Sequence, residues 1–403
     1  MTFKELNLHE DVLQGLDAMG FEQPTPIQEK SIPVTIANKD LIAVAQTGTG
    51  KTAAFLLPIL HKIASQKKAT GNINTLIISP TRELAVQIDQ QLQGLAYFAG
   101  VTSIPIYGGG GGDDFTQQKK ALIEGADIIV GTPGKLMSHL NLGYAKIDQL
   151  QHLVLDEADR MLDMGFYDDI MKIIGQLPKE RQTLMFSATM PPRIRKLAKE
   201  ILNDPEEISI AISKPAEKVV QAAFLTYDGQ KVALVKHLLR FNDIPSLVIF
   251  CSTKIKVKQL TKELQKEKMN AKMISSDLEQ SERESILNEF KSRKLQILVA
   301  TDVISRGIDI DNIDMVINYD APNDAEDYIH RIGRTARASS EGEAITFINE
   351  DDQGKFEKIE QLLEKEVRKI PLPASIGEGP EYNPAKFRGR SNFSRKKPFK
   401  KRR

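Results

Sequence analysis

Leu41-Ile42-Ala43-Val44-Ala45-Gln46-Thr47-Gly48-Thr49-Gly50-Lys51-Thr52-Ala53-Ala54-Phe55 passes from an apolar run through a glycine-rich loop into a helix-forming stretch. A short apolar run ended by glycines predicts a fully buried strand, and the residues after Lys51 predict a helix folded back against it. Glycines let the loop's backbone N–H groups curl around an anion, and the helix start adds a favourable dipole. Ala45, Gln46, Thr47, Gly48, Thr49, Gly50, Lys51 and Thr52 are therefore candidate phosphate-binding residues. Lys51 can reach β- and γ-phosphates, and the Thr52 hydroxyl can hold Mg²⁺. Ala45 stands where the strict motif begins with glycine, and a ligand-free strand-to-helix turn is the alternative reading.

The same alternation repeats on either side. Apolar runs at 41–45, 76–79, 127–130, 152–155 and 183–186 are each followed by turn or helix-start chemistry, as are runs at 247–250, 297–300, 315–318 and 344–348. Buried parallel strands alternating with helices give an α/β fold, and two such series predict two α/β units in tandem. The predicted division is 1–208 for the first unit, 209–218 for a polar linker, 219–369 for the second unit and 370–403 for a disordered basic tail.

Ten of the 55 Lys and Arg residues lie in 384–403, which holds no acid, so the rest of the chain carries 45 basic against 54 acidic residues, a net of −9. An acidic body with a basic end predicts that a polyanion is gripped locally by the body and more loosely by the tail. Phe387, Phe393 and Phe399 interleave with those cations and suit base stacking, although a solubilising tail is the other reading. If all ten cations neutralised phosphates, the salt slope of single-strand binding would steepen by about 7. A smaller steepening is expected, relative to a chain ending at Gly379. The single cysteine, Cys251, excludes an intrachain disulfide. With no window approaching a membrane span and no signal-peptide layout at Met1-Thr2-Phe3-Lys4-Glu5, a cytoplasmic location without membrane contact is expected.

A phosphate loop needs a carboxylate at the end of a neighbouring strand to hold its metal. Asp156 follows Leu153-Val154-Leu155, and Glu157 beside it can orient or deprotonate an attacking water. An acidic pair after a strand also suits a helix N-terminus, so the phosphate loop upstream is what favours the metal reading.

With Asp156-Glu157-Ala158-Asp159 in place, the chain resembles the DEAD-box RNA helicases from about Phe3 to about Phe347. The resemblance implies two RecA-like domains, ATP as substrate, Mg²⁺ as cofactor and RNA as partner. Within Gly20-Phe21-Glu22-Gln23-Pro24-Thr25-Pro26-Ile27-Gln28 it implies that Gln28 reads adenine and Phe21 packs on the base, with Phe3 as a more distant aromatic; core packing is the alternative for both rings. It implies coupling of hydrolysis to strand separation through Asp159, Ser187, Thr189 and His330. In His330-Arg331-Ile332-Gly333-Arg334-Thr335-Ala336-Arg337 it makes Arg334 and Arg337 the arginine fingers, with Ala336 where the family usually has glycine. Catalysis is thus assigned to Glu157, Arg334, Arg337 and Lys51, and the ATP ribose to Asp309.

The same likeness implies RNA contacts at Thr81, Arg82, Gly108, Gly109, Thr132, Gly134, Lys135, Gln280, Arg283 and Thr301. These are hydroxyls, cations and backbone amides at helix starts, which suit phosphates and carry little base information. Lys135 stands where the family more often has Arg, Ser275-Ser276 where it has His-Gly, and the Gly108 to Gly112 run is richer in glycine than the pattern. The short body and basic end most resemble the bacterial RhlE-like type, which implies ribosome assembly or RNA turnover, with protein partners from those pathways, by a monomer. Local strand separation is the expected mechanism, and an ATP-gated RNA clamp is its rival.

Overall fold

The computed structural model describes residues 1–46, 48–66, 71–109, 112–210, 219–241, 244–275, 277–301, 313–335 and 342–386. The chain divides into two compact units, Met1–Ser213 and Lys214–Arg403.

The first unit is built on seven parallel strands: β1 (Leu41–Val44), β2 (Thr75–Ile78), β3 (Ser103–Ile106), β4 (Ile128–Gly131), β5 (His152–Leu155), β6 (Gln182–Ser187) and β7 (Glu206–Ser209). Their spatial order is β3-β4-β2-β5-β6-β1-β7. The second unit has β8 (Val219–Leu225), β9 (Leu247–Phe250), β10 (Ala271–Ile274), β11 (Ile297–Ala300), β12 (Met315–Asn318), β13 (Gly342–Ile348) and β14 (Arg368–Ile370). Their order is β10-β11-β9-β12-β13-β8-β14, again all parallel. Counted from its own first strand, each unit reads 3-4-2-5-6-1-7, so the two α/β units share one topology.

Strand alternation explains how both faces of each sheet are covered. In the first unit Leu41, Ala43, Val154, Leu184 and Phe186 join one core with the helices Glu10–Ala18, Pro26–Ile36, Lys51–Ser65 and Arg82–Leu95. Ile42, Leu153, Leu155 and Met185 join a second core with the helices Pro133–Leu140, Ala158–Asp163, Tyr167–Ile174 and Pro192–Ile201. A strand buried on both faces has no polar side, hence the uninterrupted apolar runs. Fully burying each Leu, Ile or Val stabilises the fold by about 1.5–3 kcal/mol.

The central strands fall where the apolar runs predict them. The runs do not announce β3, β7, β10 or β14, which lie at sheet edges and bury only part of their residues. Pro105 is tolerated in β3 because an edge strand need not donate on both sides. β8 begins at Val219, at the end of the stretch read as polar linker, and residues 211–218 lie outside the described residues.

The expected disorder from 370 onward needs correction. Residues 371–386 pack along the second unit: Leu372 and Ile376 join one of its cores, and Tyr382 packs against another. The Gln230 amide donates to the carbonyls of Ile376 and Glu378 at 3.2 and 3.0 Å. Gln353 donates to Glu381 O at 2.7 Å and accepts from Asn383 N at 2.7 Å. A Cβ on Gly379 would overlap the Leu225 carbonyl, so the strap runs flush against β8. Three apolar side chains and two buried-edge glutamines anchor a segment whose Pro, Gly and Glu content reads as unstructured. The basic stretch 387–403 lies outside the described residues. Among the described residues no helix is long and apolar enough to cross a membrane.

Candidate ATP and RNA site

Apart from Phe21 and Gln28, which precede β1, the described candidate residues of the first unit follow the carboxyl ends of its strands. Strand order sorts them. The loop after β1 and the turn after β5 carry the phosphate, metal and water candidates, the end of β6 carries the coupling candidates Ser187 and Thr189, and the loops after β2, β4 and β3 carry the RNA candidates. The first and last of these sets lie side by side where β2 pairs with β5.

The loop after β1 is shaped by two left-handed glycines, Gly48 at φ 81° and Gly50 at φ 90°. Gly50 caps the helix Lys51–Ser65, and a Cβ there would fall on the Gln28 amide nitrogen. That amide donates to Gly50 O at 3.1 Å, while Gln28 Oε1 accepts from Thr25 N at 2.9 Å. Gln28 therefore clamps the phosphate loop to the start of its own helix, a role that the sequence did not disclose. Thr49 Oγ1 donates to Gln46 O at 2.7 Å, and Ala45 N donates to Ser187 O at 3.0 Å. Thr47 lies outside the described residues. Phe3 is core, 5% exposed, and meets the half-buried Phe21 edge-on with centroids 6.3 Å apart.

Lys51 is only 7% exposed, and among the described residues its Nζ has no hydrogen-bond partner. A buried ammonium without a partner is costly unless an anion arrives. Asp156, at the end of β5, is 3% exposed. Burial pushes its carboxyl up to about 7, against the opposing pull of Lys51. A desolvated carboxylate and an unpartnered lysine that feel one another suit a bound magnesium nucleotide, and carboxylate and hydroxyl oxygens are the donors Mg²⁺ takes. Thr52 is half-buried at the start of the same helix.

Glu157 adopts a left-handed conformation, φ 50° and ψ 51°, and its N–H donates to Asp156 Oδ1 at 3.0 Å. A non-glycine residue held there costs about 1–3 kcal/mol, so the surrounding packing must impose it. Ala158, fully buried, starts the next helix directly after it. Asp159 Oδ2 accepts from Ala188 N at 3.2 Å, Thr189 N at 3.1 Å and Thr189 Oγ1 at 3.2 Å. Ser187 reaches this group indirectly, donating from Oγ to Thr189 O at 2.8 Å. The ends of β5 and β6 are thus tied by one carboxylate.

On the RNA half, Thr81 caps the helix Arg82–Leu95 by accepting from Leu84 N at 3.3 Å. Arg82 lies over the Tyr107 ring at 4.2 Å, and Gly109 is left-handed at φ 91°. Thr132 precedes the helix Pro133–Leu140, on whose first turn Gly134 is exposed and Lys135 half-buried. Behind Lys135, burial pushes His139 down to about 4, and burial pushes His152 at the start of β5 down to about 3. Both are neutral in the fold, whereas an unfolded histidine titrates near 6.5. For a base with a lowered folded pKa, the stability it contributes is whole above about 6.5 and is lost as the pH falls from there, toward about 4 for His139 and about 3 for His152. Melting of the full chain is expected to drop across that interval, and replacing both residues with Gln to flatten the drop.

In the second unit the helix Ala325–Ile332 carries His330 and ends at Gly333. Arg334 N donates to Arg331 O at 3.2 Å, and Arg334 O accepts from Ile313 N at 3.2 Å. Arg331, unassigned from sequence, is 3% exposed and donates to Asn318 Oδ1 and Asp320 O, both at 2.9 Å. Asp320 accepts from Lys231 and Lys256 at 2.9 and 2.6 Å and from Ser252 N and Oγ at 2.9 and 2.8 Å. Burial opposes ionisation of Asp320, yet these partners hold its carboxyl well below the usual range. This buried network was missed because its members are single polar residues scattered over strand ends and three helices. Thr301 is buried at the end of β11 and Arg283 is half-buried. Asp309, Ala336, Arg337, Ser276 and the Gln280 side chain lie outside the described residues, as do 110–111 of the glycine run.

The DEAD/DEAH box helicase family model matches residues 25–197, and the helicase conserved C-terminal domain model matches residues 230–339. ATP-dependent RNA helicase CshA of Listeria monocytogenes is 43% identical over 372 residues, covering 92% of this chain and 70% of the relative. DEAD-box ATP-dependent RNA helicase CshA of Bacillus subtilis is 39% identical over 374 residues, covering 93% and 74%. Among solved structures, S. cerevisiae Dbp5 bound to RNA and ADP BeF3 superposes with a TM-score of 0.82 at 31% identity, over 92% of this chain and 95% of that one. Mss116p bound to ssRNA and AMP-PNP gives 0.81 at 28% identity, over 93% and 80%. Similarity of this degree over most of both chains, on top of a phosphate loop and an Asp156-to-Asp159 turn that share one sheet edge, establishes that the chain belongs to the DEAD-box ATP-dependent RNA helicases.

Proposed function

We propose that ATP and RNA together draw the two units closed, that the bound strand is bent so a short duplex loses pairs, and that hydrolysis reopens the cleft. In this reading Gln28 and Phe21 receive adenine, the loop from Ala45 to Thr52 receives the phosphates, and Asp309 meets the ribose. Thr52 and Asp156 would hold Mg²⁺, which when bound neutralises charge between the phosphates. Glu157 orients the attacking water, Arg334 and Arg337 stabilise charge on the transferred phosphoryl group, and Asp159, Ser187, Thr189 and His330 relay the event. Thr81, Arg82, Gly108, Gly109, Thr132, Gly134, Lys135, Gln280, Arg283 and Thr301 hold the strand by its backbone.

The observation that supports this reading is the shared carboxyl edge of the first sheet, where the loops proposed for ATP and for RNA lie side by side at the β2–β5 pair. Movement at the Asp159 carboxylate, which ties the β5 turn to β6, lies one strand from the loops proposed for RNA. The test is ATP-dependent release of a short labelled strand from an RNA duplex, run beside RNA-stimulated ATP hydrolysis. Hydrolysis and ATP-gated RNA retention without strand release would favour a clamp instead. A duty in ribosome assembly or RNA turnover, with its cytoplasmic location and protein partners, belongs to the same proposal.

The basic end adds loosely held affinity. Because residues 371–386 are packed, the informative truncation ends after Lys386 rather than at Gly379. That truncation removes nine cations. Their full engagement would contribute about 6 to the salt slope on a single strand, and a smaller but measurable flattening is expected in the truncated chain. Equal slopes for the two chains would remove the tail from RNA binding.

A further inference from the structure

Two of the cations proposed to meet RNA rest on aromatic faces, Arg82 on Tyr107 at 4.2 Å and Lys135 Nζ on Phe115 at 4.8 Å. The Phe115 ring is itself held from beneath. Phe115 stacks on His139 with centroids 4.8 Å apart and planes 18° from parallel. His139 is fully buried, bonded through Nδ1 to the Tyr144 hydroxyl and through Nε2 to Gln118 Oε1 at 3.0 Å. Since Gln118 Oε1 only accepts, the histidine proton is assigned to Nε2, and Nδ1 accepts from Tyr144. The other end of the Gln118 amide donates to Tyr107 O at 3.3 Å. One buried glutamine therefore joins both aromatic–cation pairs, with every donor in the chain facing an acceptor.

We propose that Phe115 is a positioning residue for RNA binding, which holds the Lys135 ammonium at one place beside the helix start Thr132 to Gly134. The proposal rests on the reading of Lys135 as a phosphate contact. A lysine has a long flexible stem and lacks the planar fork with which arginine fixes a phosphate. A ring held by a buried stack limits where the ammonium can be, and the electrostatic attraction of a cation to the ring face supplies the hold. Burial keeps His139 neutral, so the stack brings no second positive charge against Lys135.

The test uses the full chain and a fluorescently labelled single-stranded oligouridine, with a non-hydrolysable ATP analogue and Mg²⁺, titrated from about 50 to 200 mM KCl. Lys135→Ala is expected to lower the salt slope by about 0.7, the share of one phosphate on a single strand. Phe115→Leu is expected to raise Kd about threefold, the scale of an exposed cation–ring contact, and to shift the slope in the same direction. Combining both changes should be no worse than Lys135→Ala alone. If Phe115→Leu matches the parent in Kd and slope while Lys135→Ala does not, or if the losses multiply, the positioning role is overturned. A silent Lys135→Ala would instead remove Lys135 as a contact, and the inference with it. Should Phe115→Leu melt early, Phe115→Trp carries the test: it is expected to bind at least as tightly with the parent's slope, and a flattened slope there overturns the proposal.

Discussion

Arg334→Ala is expected to lower RNA-stimulated ATP turnover by about 10³ to 10⁵ while leaving binding of ATP to the first unit near the parent level. The charge that develops on a transferring phosphoryl group is spread over three oxygens, and a planar, always-ionised guanidinium matches it better than a point charge. The Arg334 backbone is held on both sides, by Arg331 O at 3.2 Å and by Ile313 N at 3.2 Å, while its side chain is half exposed. Arg331, three residues earlier, has its guanidinium tied to Asn318 and Asp320 inside the unit and serves the fold. Arg334→Lys should recover little, because the fork is lost even though the charge is kept. Single-turnover hydrolysis with saturating RNA gives the measurement. Turnover within about tenfold of the parent, a difference of only about 1.4 kcal/mol in barrier, would remove Arg334 from the transition state.

Glu157→Gln should bind ATP and RNA and hydrolyse about 10² to 10⁴ times more slowly. An amide keeps the side chain's size and can still accept a hydrogen bond, but it cannot take a proton from water. Because Glu157 is held left-handed between a buried Asp156 and a buried Ala158, the turn itself is expected to survive the exchange. The readout is ATP-dependent RNA retention against phosphate release. A variant that retains RNA in ATP and releases phosphate slowly fits the assignment; near-normal release would be decisive against it. Asp156→Asn makes the useful contrast, since it should weaken binding of the magnesium nucleotide as well as its hydrolysis.

How much of this was legible in the sequence follows from which residues are buried on two sides. β1, β5, β6, β9, β11 and β12 lie inside their sheets, so their side chains are covered on both faces and are mostly apolar. β3, β7, β10 and β14 have one free edge and a partly exposed pattern, and a sequence window sees them as ordinary loop. The strap 371–386 was misread for a related reason. Its anchors are Leu372, Ile376 and Tyr382, spaced along an otherwise polar stretch, and the surface that receives them is assembled from residues far away in the chain.

The candidate site divides in the same way. Chemistry that depends on neighbours in the chain was written locally: Gly48, Gly50, Lys51 and Thr52 share one turn, as do Asp156, Glu157 and Asp159. By itself, then, the sequence determined the α/β class, the two units and the family, and it supplied the residues proposed for the reaction centre. Only the tertiary structure decided that Gln28 clamps the Gly50 carbonyl, that Asp159 gathers the Ala188 and Thr189 amides, and that Gln118 links Tyr107 to His139. It also decided that the loops proposed for ATP and for RNA follow the carboxyl ends of one sheet and lie side by side at the β2–β5 pair. The physical reason is the range of the interaction. Backbone conformation and strand periodicity are set by adjacent residues, whereas hydrogen bonds between side chains and distant carbonyls exist only once packing has brought them together.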